Sequence, residues 1–468
     1  MNFDKLYKII FVLCLFFVGF NQIELLPFLG EYKRDTSMLF ILIGFLVLCL
    51  ETLKTRRLYY PYKTIYITLF LLFTLWCILS TLLNIGTIKD NYFKRTTGIE
   101  RFIRQFISLA IIVCVVLPFV WRVIKDFTLS DILKYIRGTM LVSLVFATIY
   151  GVFDIAYNYF GIYPAYLILE NIFDYLPFIN PYYHDKRISI FAYEPPYLAI
   201  YLLSIAGWMF SYLITARNLL LRFLPSITII ILTFFSGSRT ALIVIFLQLF
   251  IFLFILYKDN FYRKEIKIIL AGCMLLGFLA VGIYGERLVT AIEQRVESLN
   301  FSDNLKKDIS NKTRFGMQYA SMQVFLEHPI IGVGYGQQAF HSRDFYPIWA
   351  TKKNWEFSGI YQNKKDSSFP PAFNIFTRIA AELGLIGLIL FTFFNASVLF
   401  YSYKFTKITK SIDKVYYAVA LALFISFIGL IINWLQLDTY RVYIFWINLA
   451  ILIKFSFLLP IKYKNEKV

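Results

Sequence analysis

Four short stretches carry residue types and spacings suited to chemistry on an anionic substrate. The first, Arg187-Ile-Ser-Ile-Phe-Ala-Tyr-Glu194, runs directly into Pro195 and Pro196. Two prolines at a helix start remove no needed hydrogen bond, and a carboxylate just before them sits at the positive helix end. Arg187 and Glu194 read either as a local pair at a capped helix or as an anion ligand and an acid, base or sugar-hydroxyl acceptor. The second, Ser236-Gly237-Ser238-Arg239-Thr240, interrupts two apolar runs. Backbone N–H groups at a helix start beside an arginine suit a phosphate group; the plainer alternative is a hairpin turn with an interfacial arginine.

The third stretch runs from Arg314 through His328 to Gly332-Val-Gly334-Tyr-Gly336. No strand precedes its glycines, so a dinucleotide site is excluded. The fourth is Phe373-Asn374, followed by Arg378, Glu382, Gly384 and Gly387. Arg378 either pairs with Glu382 at i,i+4 or joins an anion site. The two glycines read as close packing of one helix on another.

The elements that must position these residues are membrane spans. Of 468 residues, 59% are apolar and 16% charged, with 50 Phe and 34 Tyr, which excludes an ordinary soluble globule. A helix needs about 20 apolar residues to cross the hydrocarbon. That yardstick finds spans near 8–29, 37–53, 64–84, 103–121, 139–160, 196–215, 219–236, 238–257, 266–284, 373–400, 415–434 and 442–459. Only Gly237 separates the seventh from the eighth, so they form a tight hairpin or one kinked element, and the count is ten to twelve. The expected fold is all-α and polytopic, in three parts: an N-terminal transmembrane region (1–284), an outer loop (285–371) and a C-terminal transmembrane region (372–468).

The net charge of +18 is read through this topology and implies no nucleic-acid partner. With the N-terminus cytoplasmic, Lys and Arg show roughly a twofold excess in the tails and connections on that side, so both termini are expected in the cytoplasm. The run from Gly285 to Pro371 is then an extracytoplasmic loop, too long to be structureless unless functional. Helical spacing predicts one helix over Glu286–Leu299 and a second over Arg314–Leu326, the latter with Phe315, Met322 and Phe325 on its apolar face. His184, His328 and His341 all fall on the outer side. Ionisable groups beside spans, among them Glu24, Asp154 and Asp438, are functional candidates by default. Five scattered cysteines suggest neither a disulfide frame nor a zinc site.

Taken in order on a polytopic chain with one long outer loop, the stretches RISIFAYEPPYLA (187–199), SGSRTALI (236–243), RFGMQYASMQVFLEHPIIGVGYG (314–336) and FNIFTRIAAELGLIGLILF (373–391) resemble the O-antigen ligase and polymerase superfamily. The resemblance implies a GT-C-like bundle of about 12 spans in the bacterial inner membrane, with its active site facing the periplasm. It implies a glycosyltransferase acting on undecaprenyl-diphosphate-linked oligosaccharide, with inversion at the anomeric carbon, and a flippase and a chain-length regulator as partners. Arg187, Arg239 and Arg314 inherit contact with the lipid diphosphate, and Arg378 is a further candidate. Ligases of the family carry a His-Asn pair where this chain has Phe373-Asn374. That favours a polymerase making O-antigen or a related surface polysaccharide, over a ligase acting on lipid A core or protein, or a lipid-linked oligosaccharide flippase.

No D-x-D pair is present, so no metal or other cofactor is expected, and the arginines, Arg239 foremost, would stabilise the leaving diphosphate. Glu194 and His341 are the expected general bases, with Glu382 and Asp366 behind them. Tyr346, Trp349, Trp355 and Tyr361 of the loop could stack on sugar rings or form an interfacial aromatic belt.

Overall fold

With no water in hydrocarbon to satisfy their backbone, long apolar segments fold as helices. The computed structural model describes residues 3–61, 63–176, 178–180, 186–258 and 308–465, with Arg263 and Lys267. Among the described residues, nine helices are long and apolar enough to cross a membrane. They are α2 (Thr36–Thr55), α3 (Ile65–Leu83), α4 (Gly98–Ile124), α5 (Leu129–Asn158), α6 (Pro195–Thr215), α7 (Leu219–Ser236), α8 (Arg239–Tyr257), α10 (Ile375–Thr409) and α11 (Lys414–Asn433). Helices α1 (Phe3–Phe16) and α12 (Tyr443–Asn465) are apolar, and α9 (Ile309–Glu327) belongs to the long loop. The all-α polytopic expectation holds. The expected span at 266–284 and the expected helix at 286–299 lie outside the described residues.

The helices are joined at their centre by polar contacts. Helix α6 is the most enclosed of the spans, and Gly207 lets it approach α11 so closely that a Cβ there would stand 2.6 Å from the Ala422 carbonyl oxygen. Ser426 donates to the Ser204 carbonyl at 2.8 Å, Asn448 donates to Ser426 at 2.8 Å, and Trp208 donates to Asn448 at 3.1 Å. Gln248 of α8 donates to the carbonyls of Leu203 and Ile425. Small residues and interhelical hydrogen bonds bind helices where lipid removes the hydrophobic drive between them.

Four expectations change. The first span stops at Phe16 with a single tighter turn to Gly19, not at residue 29. The apolar residues beyond it serve tertiary contacts: Phe20 stacks on Phe191 with ring centroids 4.2 Å apart, while Pro27 opens a separate short helix, Pro27–Tyr32, that is kinked at Gly30 (φ +56°). The seventh and eighth segments are two helices rather than one kinked element. Gly237 ends α7 in the left-handed conformation (φ +73°), and Ser238 caps α8 by accepting from Ala241 N at 3.4 Å. The span expected at 373–400 runs on to Thr409 and is interrupted at Gly384 (φ +62°). In α9 the helical period is right and the face is wrong. Thr313, Met317, Ala320, Ser321 and Val324 are buried, whereas Met322 is exposed, because this side of α9 packs both on α10, where Val324 meets Ala381, and on the rest of the loop, where Met317 meets Ala350 and Phe357.

One junction holds the loop to the bundle. Gly332, Gly334 and Gly336 all have positive φ (+70°, +98°, +79°), and the turn they form lies on the broken backbone of α10. Val333 N donates to the Ala381 carbonyl at 3.1 Å, Gly334 N to the Glu382 carbonyl at 2.8 Å, and Leu385 N to the Pro329 carbonyl at 2.8 Å. Helix α3 closes the junction: Ser80 donates to the Ile331 carbonyl at 2.7 Å, and Trp76 to the Leu383 carbonyl at 3.0 Å. A second tie comes from a hairpin, β1 (Tyr92–Phe93) against β2 (Thr96–Thr97). Its turn residue Lys94 reaches the carbonyls of Ile360 and Ser368 at 2.7 and 2.6 Å.

A Cβ at Gly332 would meet the Glu382 carbonyl carbon at 2.3 Å, on a backbone that L side chains rarely adopt. Gly332→Ala should therefore lose about 2–4 kcal/mol, read as a lower unfolding temperature of the purified protein. Gly359→Ala, where a Cβ meets nothing within 4 Å, should change it by no more than about 0.5 kcal/mol.

Candidate functional site

The three arginines singled out from separate stretches line one cavity of ≈ 140 Å³. Each arrives by a different local device. Arg187 comes from an extended segment ahead of α6, where Ile190 has φ +58°, a rare conformation for a β-branched residue. Asp154 accepts from Ile190 N at 3.3 Å, and Gln22 donates to the Ile190 carbonyl at 2.9 Å. Ile188 N donates to the Phe235 carbonyl at 3.2 Å, which sets Arg187 beside the end of α7. Because Gly237 lacks a side chain, Arg187 lies on it. A Cβ there would be 3.0 Å from Arg187 Cγ and 3.1 Å from its Nε. Arg239 opens α8 immediately after the break.

Arg314 projects from α9. Its guanidinium is 5.3 Å from the centre of the Phe373 ring and 3.4 Å from Gln436 Oε1. Burial pulls its ionisation below the ordinary guanidinium range, opposed by Glu356, Tyr361, Asp308 and Glu194. Asp308 is the carboxylate of the cavity. Its Oδ2 accepts from Arg239 at 2.6 Å, and its Oδ1 caps α9 by accepting from Asn311 N at 3.2 Å. One side chain thus fixes both Arg239 and the start of the helix that bears Arg314. Arg187 has no ion-pair or hydrogen-bond partner among the described residues. Three cations against one carboxylate leave an excess of positive charge in a partly enclosed space, which suits a phosphate-type anion.

A second chamber of ≈ 360 Å³ shares Pro196, Ser238, Thr240, Arg314 and Gln436 with the arginine cavity, and adds Glu194, Tyr361 and Asp438. Glu194 precedes α6 in extended conformation and makes no side-chain cap. Its carboxylate is exposed, with no partner among the described residues. Asp438 accepts from Ala372 N at 2.6 Å. Asn374 caps α10 by accepting from Phe376 N at 2.9 Å, and Phe373 before it has φ +53°.

Other expected site residues stand elsewhere. Arg378 does not join the three arginines. It pairs with Glu382 at 3.2 Å, donates to Gln105 Oε1 and the Asp438 carbonyl at 2.7 Å each, and lines a third cavity. His341 lines none of these three cavities. It packs at 5.9 Å from the His328 ring with its Nε2 buried and unpartnered. Of the four aromatic residues expected to hold sugar, Tyr361 alone lines a chamber. Tyr346 packs into a small core with Phe357, its ring 4.8 Å away. Trp349 and Trp355 are exposed and line none of the three cavities. Asp366 stabilises its own turn by accepting from Ser368 N. Glu24 pairs with Lys33 and Arg34, and His184 lies outside the described residues.

Asp308, Asn311 and Gln436 were missed. Only the cap signal of an aspartate three residues before Asn311 pointed to the first, and nothing local marked Gln436.

Residues 224–392 match the model of a protein family described as O-antigen ligase. The matched stretch holds Arg239, Arg314 and Arg378, the glycine junction and Asn374; Arg187 and Glu194 precede it. The match supports the O-antigen ligase and polymerase superfamily, and with it a glycosyltransferase-like enzyme. No curated protein matches the chain.

Burial lowers the His341 imidazole from 6.5 to about 4, with His328 and Arg343 adding to the effect. The unfolded chain therefore takes up this proton first, and the stability that His341 contributes is present above pH 6.5 and lost as pH falls towards 4. His341→Gln should flatten the fall in unfolding temperature between pH 7 and 4.5 relative to wild type. It should leave glycan synthesis within about twofold of wild type, since the side chain lines none of the three cavities; removal of a true general base would cost about 10²-fold or more.

Proposed function

We propose, from the support that the match over residues 224–392 gives to the O-antigen ligase and polymerase superfamily, that this protein polymerises lipid-diphosphate-linked oligosaccharide repeat units into a surface polysaccharide. The observation that carries the reading is the convergence of Arg187, Arg239 and Arg314 on one cavity. The diphosphate of undecaprenyl-diphosphate-linked glycan lies among these cations. The reducing-end sugar extends into the neighbouring chamber, where Glu194 and Tyr361 stand.

In the reaction, a hydroxyl of an incoming repeat unit attacks the anomeric carbon and the bond from that carbon to the diphosphate oxygen breaks. The electron pair leaves with the diphosphate, and Glu194 accepts the hydroxyl proton. Charge grows on the diphosphate as the bond breaks, so the arginines bind the transition state more strongly than the ground state. An oxocarbenium-like transition state places only a modest demand on the base, which an exposed carboxylate can meet. Single displacement inverts the anomeric carbon. The Phe373-Asn374 pair, in place of a His-Asn pair, supports polymerase over ligase. The bacterial inner membrane, with the site on its periplasmic face and a flippase and chain-length regulator alongside, completes the proposal.

Deleting the gene in its host and resolving the surface glycan on a gel tests this. A polymerase deletion leaves one repeat unit on the usual acceptor, and wild type restores the ladder. Arg239→Ala, expressed at normal level, should restore about 10²–10³-fold less polymer, the loss expected when one preorganised donor to the developing charge is removed. Long polymer retained on undecaprenyl diphosphate in the deletion would instead identify a ligase.

A further inference from the structure

The chamber holding Glu194 shares Pro371, Asp438, Thr439 and Arg441 with a third cavity of ≈ 250 Å³. The charge balance of this cavity differs from that of the arginine cavity. Arg101, Arg378 and Arg441 line it together with Glu31, Glu382 and Asp438, so the signs cancel and there is no excess to attract a diphosphate. Most of its polar atoms are engaged with one another. Arg378 is spent on Glu382, Gln105 and the Asp438 carbonyl, and Arg441 lies 3.7 Å from Asp35. Burial would raise the Glu31 carboxyl, but Arg441, Arg101 and Arg378 hold it below its ordinary value.

Two buried atoms are left over. Arg101 Nε and Glu382 Oε2 have no hydrogen-bond partner, one a donor and the other an acceptor. Arg101 makes no ion pair or hydrogen bond among the described residues, and its guanidinium carbon lies over Phe369, 4.4 Å from the ring centre. A buried donor or acceptor without a partner costs about 1–3 kcal/mol, and such groups are normally satisfied by protein, water or ligand. The missing partner must accept from Arg101 and donate to Glu382, carry no net charge, and offer an apolar face to Phe369, Pro370 and Pro371. A sugar ring does all of these, since its hydroxyls donate and accept and its C–H face packs on aromatic and proline rings.

We propose that this third cavity is a saccharide site, separate from the diphosphate site, that holds the sugar presenting the attacking hydroxyl. The assignment of that sugar as acceptor rests on the glycosyltransferase reading above. Its position explains how two lipid-linked glycans are engaged at once: the donor diphosphate lies among Arg187, Arg239 and Arg314, the acceptor sugar lies between Arg101 and Glu382, and their reacting ends meet in the chamber that both cavities adjoin.

The test titrates full-length protein in nanodiscs with two probes: the oligosaccharide released by mild acid from the host's lipid-linked precursor, and inorganic pyrophosphate. Arg101→Gln and Phe369→Leu should each weaken oligosaccharide binding about tenfold, one lost charge-assisted contact or stacking face, and leave pyrophosphate binding within twofold. Arg239→Gln should do the reverse. The proposal is overturned if wild type does not bind the oligosaccharide, or if its affinity is unchanged in both Arg101→Gln and Phe369→Leu. Equal loss of both probes in a stably folded Arg101→Gln protein would also overturn it. If oligosaccharide binding follows Arg101 while pyrophosphate is indifferent to Arg239→Gln, the saccharide site is upheld and the diphosphate reading fails.

Discussion

Three arginines share one small cavity with a single carboxylate, and most of the architecture at that end of the bundle holds them there. Two like charges about 4 Å apart repel by roughly 1 kcal/mol in water and by several times that near a protein surface. Left mobile, the side chains would spread apart. Each is instead restrained by its own local device. Arg187 is fixed by a backbone segment clamped between Gln22, Asp154 and α7. The α7–α8 break and Asp308 hold Arg239. Arg314 sits on a helix seated against α10 next to the glycine junction. An arrangement that keeps repelling cations together without neutralising them is preorganised for an anion, because the reorganisation that water would need has already been done.

The opposite end of the bundle shows how the same residue type is treated when it is structural. Arg122 is buried and saturated. It meets Glu51 at 2.7 and 2.8 Å, Asp4 at 2.9 Å and Asp126 at 2.8 Å, and Tyr7 donates to the same Glu51. Arg137 donates to Ser211 and Thr215 through Nη1, while its Nε is buried without a partner. These contacts pin α1, α2 and α4, or α5 and α6. The arginines of the cavities differ in the count of their hydrogen-bond and ion-pair partners: Arg239 and Arg314 have one each. Arg187 and Arg101 have none among the described residues, and that count is invisible in a linear motif.

Several features were legible in the sequence because they depend on neighbours in the chain. Apolar runs of about 20 residues predict helices, since the backbone has no other way to satisfy itself in lipid. The proline pair at 195–196 and the small polar break at 236–240 predict where some of those helices start and stop. The first span was over-read because Phe20, Leu26 and Leu29 are apolar for packing rather than for crossing a membrane. The face of α9 was misread because its buried side includes Thr313 and Ser321, which accept from Asn354 and Gln338 of the loop, as well as Val324, which meets Ala381 of α10. The loop aromatics were misassigned on the same ground: a tyrosine that fills a satellite core and one that lines a chamber carry the same letter.

By itself the sequence determined an all-α membrane protein, the approximate position of its helices, the polar break between α7 and α8, and a short set of candidate arginines. Each of these follows from composition, periodicity or local backbone chemistry. Tertiary structure alone decided that Arg187, Arg239 and Arg314 meet whereas Arg378 turns to Glu382, that Glu194 and not His341 stands beside them, and that Arg101, Glu31, Asp438 and Arg441, which come from distant parts of the chain, enclose a cavity of balanced charge. The reason is physical: which buried polar group is satisfied, and by whom, depends on which helix ends are brought together, and chain-local patterns carry almost no information about contacts hundreds of residues apart.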